Sequence, residues 1–179
     1  MEITFVTSNI SKLKQVVDIP KFDVRHKALD LPEIQSLDLD EIVIQKAKDA
    51  YSIVKSPVLV EDASLIYHAL GNLPGPLIKW FYQELDNKGL CRLINHYNKD
   101  RSATAEIAYC LFDGHKPQIF RYQVTGKIAA YPKGKNGFGW DPIFIPNDSK
   151  LTWAETNDPN EGSFAMRKKA LDKLSEYLY

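Results

Sequence analysis

The chain has 179 residues, 44% of them hydrophobic, which is enough for one domain with a sizeable core. Its 23 basic and 23 acidic residues cancel to a formal net charge of +0, which argues against the broad positive field that captures nucleic acid or an anionic membrane. No apolar run approaches the roughly 20 residues that span a bilayer, and the opening Met1-Glu2-Ile3-Thr4-Phe5-Val6 has no basic start or apolar stretch of a secretion signal, so a soluble, cytoplasmic protein is expected.

Residues 3–7 read as a short apolar strand that runs into Ser8-Asn9, a good helix cap, with Ile10, Leu13, Val16 and Val17 at helical spacing behind it. A second extended piece covers about 22–26. A clear helix follows: Asp38 caps it, Glu41 completes a capping box, and Leu39, Val43, Ala47, Ala50 and Val54 make its apolar face. Residues 57–60 have the look of a buried strand that ends at Glu61-Asp62. A loop over 70–76 leads to one helix near 77–85 and another near 89–96. Residues 102–112 alternate, with Ala103, Ala105, Ile107, Tyr109 and Leu111 on one face; Asp113-Gly114 turns the chain and 118–130 returns, predicting a long hairpin. Residues 161–179 close the chain as an amphipathic helix with Ala170, Leu171, Leu174 and Leu178 inward. This order predicts a single α/β domain over 1–179 with a mixed sheet.

Four groups of residues carry candidate chemistry. Thr7-Ser8-Asn9-Ile10-Ser11-Lys12 sits at a strand-to-helix junction, where free N–H groups, hydroxyls and a lysine suit an anion such as phosphate; Ser-Asn there is also simply a cap. Glu33, Glu61 and Asp62 offer hard oxygens of the kind Mg²⁺ takes alongside substrate phosphates, although an acid pair after a strand is also an ordinary solvated turn. Lys46 lies on the helix after Glu33, where most lysines face solvent. In Asn136-Gly-Phe-Gly-Trp-Asp-Pro-Ile-Phe144 the glycines weaken helix and strand alike, so Phe138, Gly139 and Trp140 would form a loop presenting flat rings, with Asp141 held extended by Pro142 and its carboxylate aimed away from the turn. Rings beside a carboxylate suit a hydrogen-bonding heterocycle such as a nucleobase; a surface turn with a buried tryptophan has the same pattern. Cys91 and Cys110 have no metal spacing and read as reduced core residues, and His26, His68, His96 and His115 are scattered structural or surface residues.

Taken together, the chain resembles the inosine triphosphate pyrophosphatase family, the Ham1-like pyrophosphatases of non-standard purine nucleotides. Thr7-Ser-Asn-Ile-Ser-Lys12 is similar to its opening T-x-N-x-x-K motif. Leu31-Pro-Glu33 with Lys46, Val58-Leu-Val-Glu-Asp62, the stretch Ala69-Leu-Gly-Asn-Leu-Pro-Gly-Pro-Leu-Ile-Lys-Trp-Phe81, Gly137-Phe-Gly-Trp-Asp-Pro142 and Thr152-Trp-Ala-Glu155 follow in family order over essentially the whole chain. The resemblance implies an elongated α/β fold with a twisted mixed sheet, flanking helices and two lobes around a central cleft, and a homodimer. It implies Mg²⁺-dependent hydrolysis of a nucleoside triphosphate such as ITP, dITP or XTP to monophosphate and pyrophosphate. By position, Thr7, Ser8, Asn9 and Lys12 would hold phosphates, Glu33 and Asp62 the metal, and Lys46 the triphosphate. Asp62 would orient or deprotonate water with Glu61 and Lys12 in support, and Phe138, Gly139, Trp140, Asp141 and Arg167 would take the base.

The last helix departs from the family. Where K-N-x-x-S-H-R is usual, this chain reads Glu161-Gly-Ser-Phe-Ala-Met-Arg167, so lysine, serine and histidine become Glu161, Ala165 and Met166. Those family positions bind substrate and recognise a 6-oxo group, and a lost charged hydrogen bond is worth roughly 1.5–3 kcal/mol. Ala63 also stands where threonine is usual. An active pyrophosphatase with a shifted or relaxed base preference is therefore expected. The alternatives are the ordinary ITP/XTP preference, or a catalytically weak nucleotide-binding sensor.

Overall fold

Strand β1 (Ile3–Val6) is buried along its whole length, as befits a strand with parallel neighbours on both sides. The structure, a computed structural model, describes residues 2–17, 24–95, 100–158 and 160–179; Phe22, His96 and the Val17 side chain lie outside the described residues. After β1 come α1 (Ile10–Val17), β2 (Val24–Lys27), α2 (Leu39–Val54), β3 (Val58–Tyr67), β4 (Pro74–Gly75), α3 (Ile78–Leu93), β5 (Ser102–Phe112), β6 (Gln118–Ile128), β7 (Phe144–Pro146) and α4 (Gly162–Leu178). The seven strands form one sheet in the order β2-β1-β3-β5-β6-β7, with β4 paired to β3. β1 is parallel to β2 and β3, while β4 is antiparallel to β3 and β7 to β6. This is the expected α/β class with a mixed sheet. Among the described residues no helix is long and apolar enough to cross a membrane.

The first three strands position the candidate site. The chain leaves β1 through α1 to reach β2 on one side, then leaves β2 through α2 to reach β3 on the other, so strand order reverses around β1. Ligands of open α/β sheets bind beyond the carboxyl ends of strands at such a reversal. The register pairs Thr4 with Val58 and Phe5 with Leu59; carried two residues further it brings Thr7 level with Glu61. The strand does not end at Glu61-Asp62 as its apolar run suggested. It continues to Tyr67 because Ser64, Leu65 and Tyr67 are also buried and β4 pairs with Leu65 and Ile66.

The contacts divide the chain into two compact units. One comprises Met1–Asp62, Ile107–Tyr122 and Arg167–Tyr179, the other Ala63–Glu106 and Gln123–Met166. In the first, Leu39, Val43, Ala47 and Ala50 of α2 pack on Val6, Val58, Val60, Ala108 and Cys110; a fully buried leucine or valine contributes roughly 1.5–3 kcal/mol. Asp38 caps α2 by accepting from the Asp40 N–H at 2.9 Å. Glu41 does not close the expected capping box: its carboxylate accepts from the Ser36 hydroxyl at 2.7 Å, and it is Ser36 Oγ that takes the Asp38 N–H. Ile10 also departs from expectation, being 60% exposed while Val16 is fully buried. In β5 the predicted face is buried, but so are Thr104, Ala108 and Cys110 on the other, where Ala108 and Cys110 lie in the core cluster under α2. Cys91 and Cys110 are buried and unbridged, and burial pushes their thiols up to about 11 and about 12, which makes both inert.

In the second unit, α3 is broken at Asp86 (φ 52°, ψ −176°), matching the two short helices expected there. Asp86 restarts the helix by accepting from the Lys88 and Gly89 N–H groups. Arg101 ties this unit together. Its Nε donates to Ile128 O at 2.6 Å, Nη1 to Asn95 Oδ1 at 2.7 Å, and Nη2 to the carbonyls of Cys91 and Ala129. One planar fork thus joins α3 to the end of β6, a geometry that an ammonium cannot copy. Arg101→Ala is expected to lower stability by about 3 kcal/mol in urea unfolding, because it strands carbonyls that lose their donor, and Arg101→Lys should recover less than half of that loss.

Candidate active site

The turn from β1 into α1 is built from its own side chains. Thr7 Oγ1 accepts from the Asn9 N–H at 3.1 Å, and Asn9 Oδ1 accepts from the N–H groups of Ser11 and Lys12 at 2.9 and 3.3 Å. Asn9 is therefore the cap, and two amides that might have met an anion are already engaged. What the turn presents instead is the exposed Ser8, the Asn9 amide and the Lys12 ammonium. His26, expected to be a structural or surface residue, holds the turn from β2, with Nε2 2.8 Å from Thr7 O.

Glu61 and Asp62 are neighbours on β3, so their side chains leave opposite faces of the sheet, and each meets its own cations. Glu61 is 3% exposed; its carboxylate lies 3.0 Å from Lys12 Nζ and 3.4 Å from both Arg167 Nε and Nη2. Burial alone would raise its pKa, but Lys12 and Arg167 outweigh that and hold it below the usual carboxylate range. Tyr109 is fully buried, and its phenol is pushed up by burial and by the Glu61 charge. On the other side, Lys46 Nζ lies 2.8 Å from Glu33 Oε1 and 3.4 Å from Asp62 Oδ2. Burial would lower the Lys46 pKa, but Asp62 and Glu33 together raise it above the ordinary lysine value. The structure thus brings Lys12, Glu61 and Arg167 into one group and Glu33, Lys46 and Asp62 into another, both within the first unit.

In the second unit the aromatic loop folds back on itself. Asp141 begins a 3-10 turn (Asp141–Ile143) and is 3% exposed. Its carboxylate is not aimed away from the turn, as expected from the following proline. Oδ2 instead accepts from the Phe138 N–H at 3.0 Å and the Ser163 hydroxyl at 2.8 Å. A Cβ on Gly137 (φ 70°) would come 2.0 Å from that oxygen, which is why glycine stands there. Gly139 has φ 61° with open space beside it, and its carbonyl accepts from Asn87 Nδ2 at 2.9 Å. Trp140 is not a lone plane. Its ring centroid lies 5.5 Å from Trp153 and 6.1 Å from Phe144, and those two are 4.5 Å apart. Phe138 is half-buried.

The rewritten start of α4 is equally specific. Ser163, Met166, Arg167, Ala170, Leu171 and Leu174 are buried on one helical stripe, with Met166 only 1% exposed. Glu161 is exposed and accepts from the Thr156 hydroxyl at 2.7 Å.

A profile of the Ham1 family matches residues 3–177. The chain belongs to the Ham1 family. It is 40% identical over 179 residues to the inosine triphosphate pyrophosphatase of Schizosaccharomyces pombe, covering 98% of this chain and 94% of that protein. It is 39% identical over 183 residues to inosine triphosphate pyrophosphatase 2 of Trypanosoma cruzi, covering 98% and 91%. Among solved structures, a HAM1 protein from Coxiella burnetii superposes with a TM-score of 0.84 at 26% identity, over 99% of this chain and 98% of that one. The Staphylococcus aureus Ham1 protein, at 22% identity and a TM-score of 0.78 over 99% and 98%, shares the fold.

Three contacts of this Ham1 chain escaped the sequence reading. Ser163 on Asp141 and Asn87 on Gly139 are separated by 22 and 52 residues, and no local pattern marks such pairs. The resemblance gives Arg167 a place at the base, and in the structure its guanidinium meets Glu61; the signal available was that a buried acid must have a cation. Since the folded pKa of Glu61 lies below its unfolded value of about 4.3, its contribution is complete above that pH and is lost as pH falls through the folded value. Glu61→Gln should lower stability by about 3 kcal/mol at neutral pH, with the gap to wild type narrowing on acidification; urea unfolding down through the carboxylate range measures it.

Proposed function

We propose that the chain hydrolyses nucleoside triphosphates between the α and β phosphates, releasing monophosphate and pyrophosphate, with deaminated purine nucleotides as the substrate class. The observation that carries this reading is the adjacent acid pair on β3, with Lys12 at Glu61 and Lys46 at Asp62. Two ammonium groups beside two carboxylates are the parts that phosphoryl chemistry needs: charge neutralisation for the transferring group and a base or orienter for water. The named pyrophosphatase relatives and the family's motif order support the same reaction. A homodimer in an intracellular compartment belongs to the same reading, supported by the family resemblance and, for the compartment, by two buried, unbridged thiols.

The donor set suits Mg²⁺. Glu33 and Asp62 already converge on a single cation, the Lys46 ammonium, and Mg²⁺ is held by one or two carboxylates plus substrate phosphates. Among the described residues no group of three or more His, Cys, Asp or Glu side chains forms a cage, so phosphate oxygens would complete the shell. Bound there, the ion would supply Lewis-acid neutralisation of phosphate charge. Asp62 orients the attacking water and accepts its proton. Glu61 keeps Lys12 in place, and Lys12, Asn9, Thr7 and Ser8 receive phosphate oxygens. Phe138 offers a ring for stacking. Trp140 and Asp141 act chiefly by holding the loop that carries it, and Arg167 acts through Glu61. Asp62→Asn is expected to lower turnover at least a hundredfold while nucleotide binding is largely kept; pyrophosphate release under saturating substrate checks this, and near-normal turnover removes Asp62 from the role.

Met166 and Ala165 carry no donor for a 6-oxo group, and Glu161 brings negative charge where the family has lysine. A weaker preference for ITP over ATP follows, because strong discrimination requires buried polar groups that the wrong base leaves unpaired. Pyrophosphate release from a panel of ITP, dITP, XTP and ATP measures the ratio. Glu161→Lys with Ala165→Ser and Met166→His should raise kcat/KM about tenfold for the first three and leave ATP unchanged. A thousandfold ITP preference already present in wild type would restore the ordinary specificity, and no release from any nucleotide would favour a binding role.

A further inference from the structure

Gly139 lies between the two rings of the aromatic loop, Phe138 and Trp140, and its carbonyl is held differently from theirs. Phe138 O accepts from the Asp141 N–H at 3.2 Å and Trp140 O from the Ile143 N–H at 3.0 Å, so both bonds close within the loop and its 3-10 turn. Gly139 O instead accepts from Asn87 Nδ2 at 2.9 Å, across a separation of 52 residues. Gly139 itself is at φ 61°, with open space where a Cβ would stand. A segment with open space on one side is thus held at its oxygen from α3.

At this point α3 carries two features that work against its own stability. Asp86 sits at φ 52°, ψ −176°, backbone that suits glycine and that any other residue adopts under strain. Asn87 Oδ1 is buried and has no hydrogen-bond partner among the described residues, a state that an apolar side chain would avoid. Neither feature helps a helix, which a regular residue at 86 and an alanine at 87 would continue better. What the pair provides is the donor at Gly139. The amide can serve in one orientation, because turning it over would set Oδ1 against another acceptor.

We propose that Asn87 is a positioning residue for base binding: its amide holds the Gly139 carbonyl, and through it the pose in which Phe138 offers its ring to the nucleobase. The inference rests on the nucleotide reading above and adds to it a residue outside the loop and outside every motif that carries the family resemblance. Asn87 acts on the loop and not on the edge of the base. It therefore strengthens binding of any base without sorting one from another, since stacking accepts every base. That sets it apart from the start of α4, whose changes bear on the 6-oxo group.

The test uses the full-length protein with Mg²⁺ and two variants. Asn87→Asp keeps the size and shape of the side chain but puts an acceptor where the donor was, and a carboxylate is well tolerated in the first turn of the restarted helix. Asn87→Ala removes the donor and the orphaned acceptor together. In both, KM for ITP and for ATP should rise by a similar factor of about fivefold or more, the lower end of what one base–aromatic stack is worth. Over the same series kcat should stay within about twofold, and the thermal midpoint should barely move. Calorimetry of α,β-methylene analogues of ITP and ATP should show the same loss of affinity without turnover. Asn87→Asp decides alone if Asn87→Ala folds poorly. A folded variant that binds both analogues as tightly as wild type overturns the positioning role. So does a rise in KM that comes with a parallel fall in kcat and a large drop in thermal midpoint, the pattern of a loop that has come apart. A loss confined to ITP overturns it as well, making Asn87 a reader of the base. Failure of wild type to bind either analogue overturns the proposed function itself.

Discussion

A carboxylate buried on a central strand is the constraint around which the first unit is arranged. Glu61 is almost fully enclosed, and an ionised acid in that position is tolerable only with good cationic geometry. The chain supplies it from two distant places, Lys12 on α1 and Arg167 on α4. The N-terminal and C-terminal helices are thereby fixed to the same residue of β3. A hydrophobic side chain there would be easier to bury, but it would leave Arg167 enclosed without this partner and Lys12 without a tether.

The two-residue period of a strand then separates two tasks that one acid could not perform. Glu61 faces the enclosed side and serves as an anchor. Asp62 faces the other side and keeps 19% side-chain exposure, enough for solvent to reach it. The β1 register places the Thr7–Lys12 turn beside this pair. The phosphate-type donors and the acids are thus gathered by backbone pairing, while the apolar face of α2 brings Lys46 to Asp62.

Much of this was legible in the sequence because it is local. The Asn9 cap, the Asp38 cap and α2's apolar face depend on residues within a few positions of one another, and the family motifs mark Glu33, Lys46 and Asp62. The end of β3 was misread because an acid pair resembles a turn, and only the strand partners reveal that the ladder continues. Asp141 was misread because the proline after it argues for an extended residue, while two hydrogen bonds to one oxygen overrule that local bias. The partner of Arg167 lies 106 residues away, and nothing in the sequence around either residue encodes that distance.

The glycine at 137 carries a consequence for how this loop can evolve. Its missing Cβ is the space that the Asp141 carboxylate fills, and its backbone already sits at φ 70°, where other residues are strained. Position 137 is thus closed to larger residues for as long as an acid occupies 141 in this pose. Shortening or removing the acid would open the space, though it would also release the Phe138 N–H and the Ser163 hydroxyl. Two positions four apart therefore share one mutational fate: the order in which they change decides whether an intermediate sequence keeps its loop, and the first step away from aspartate is the one that sets the others loose.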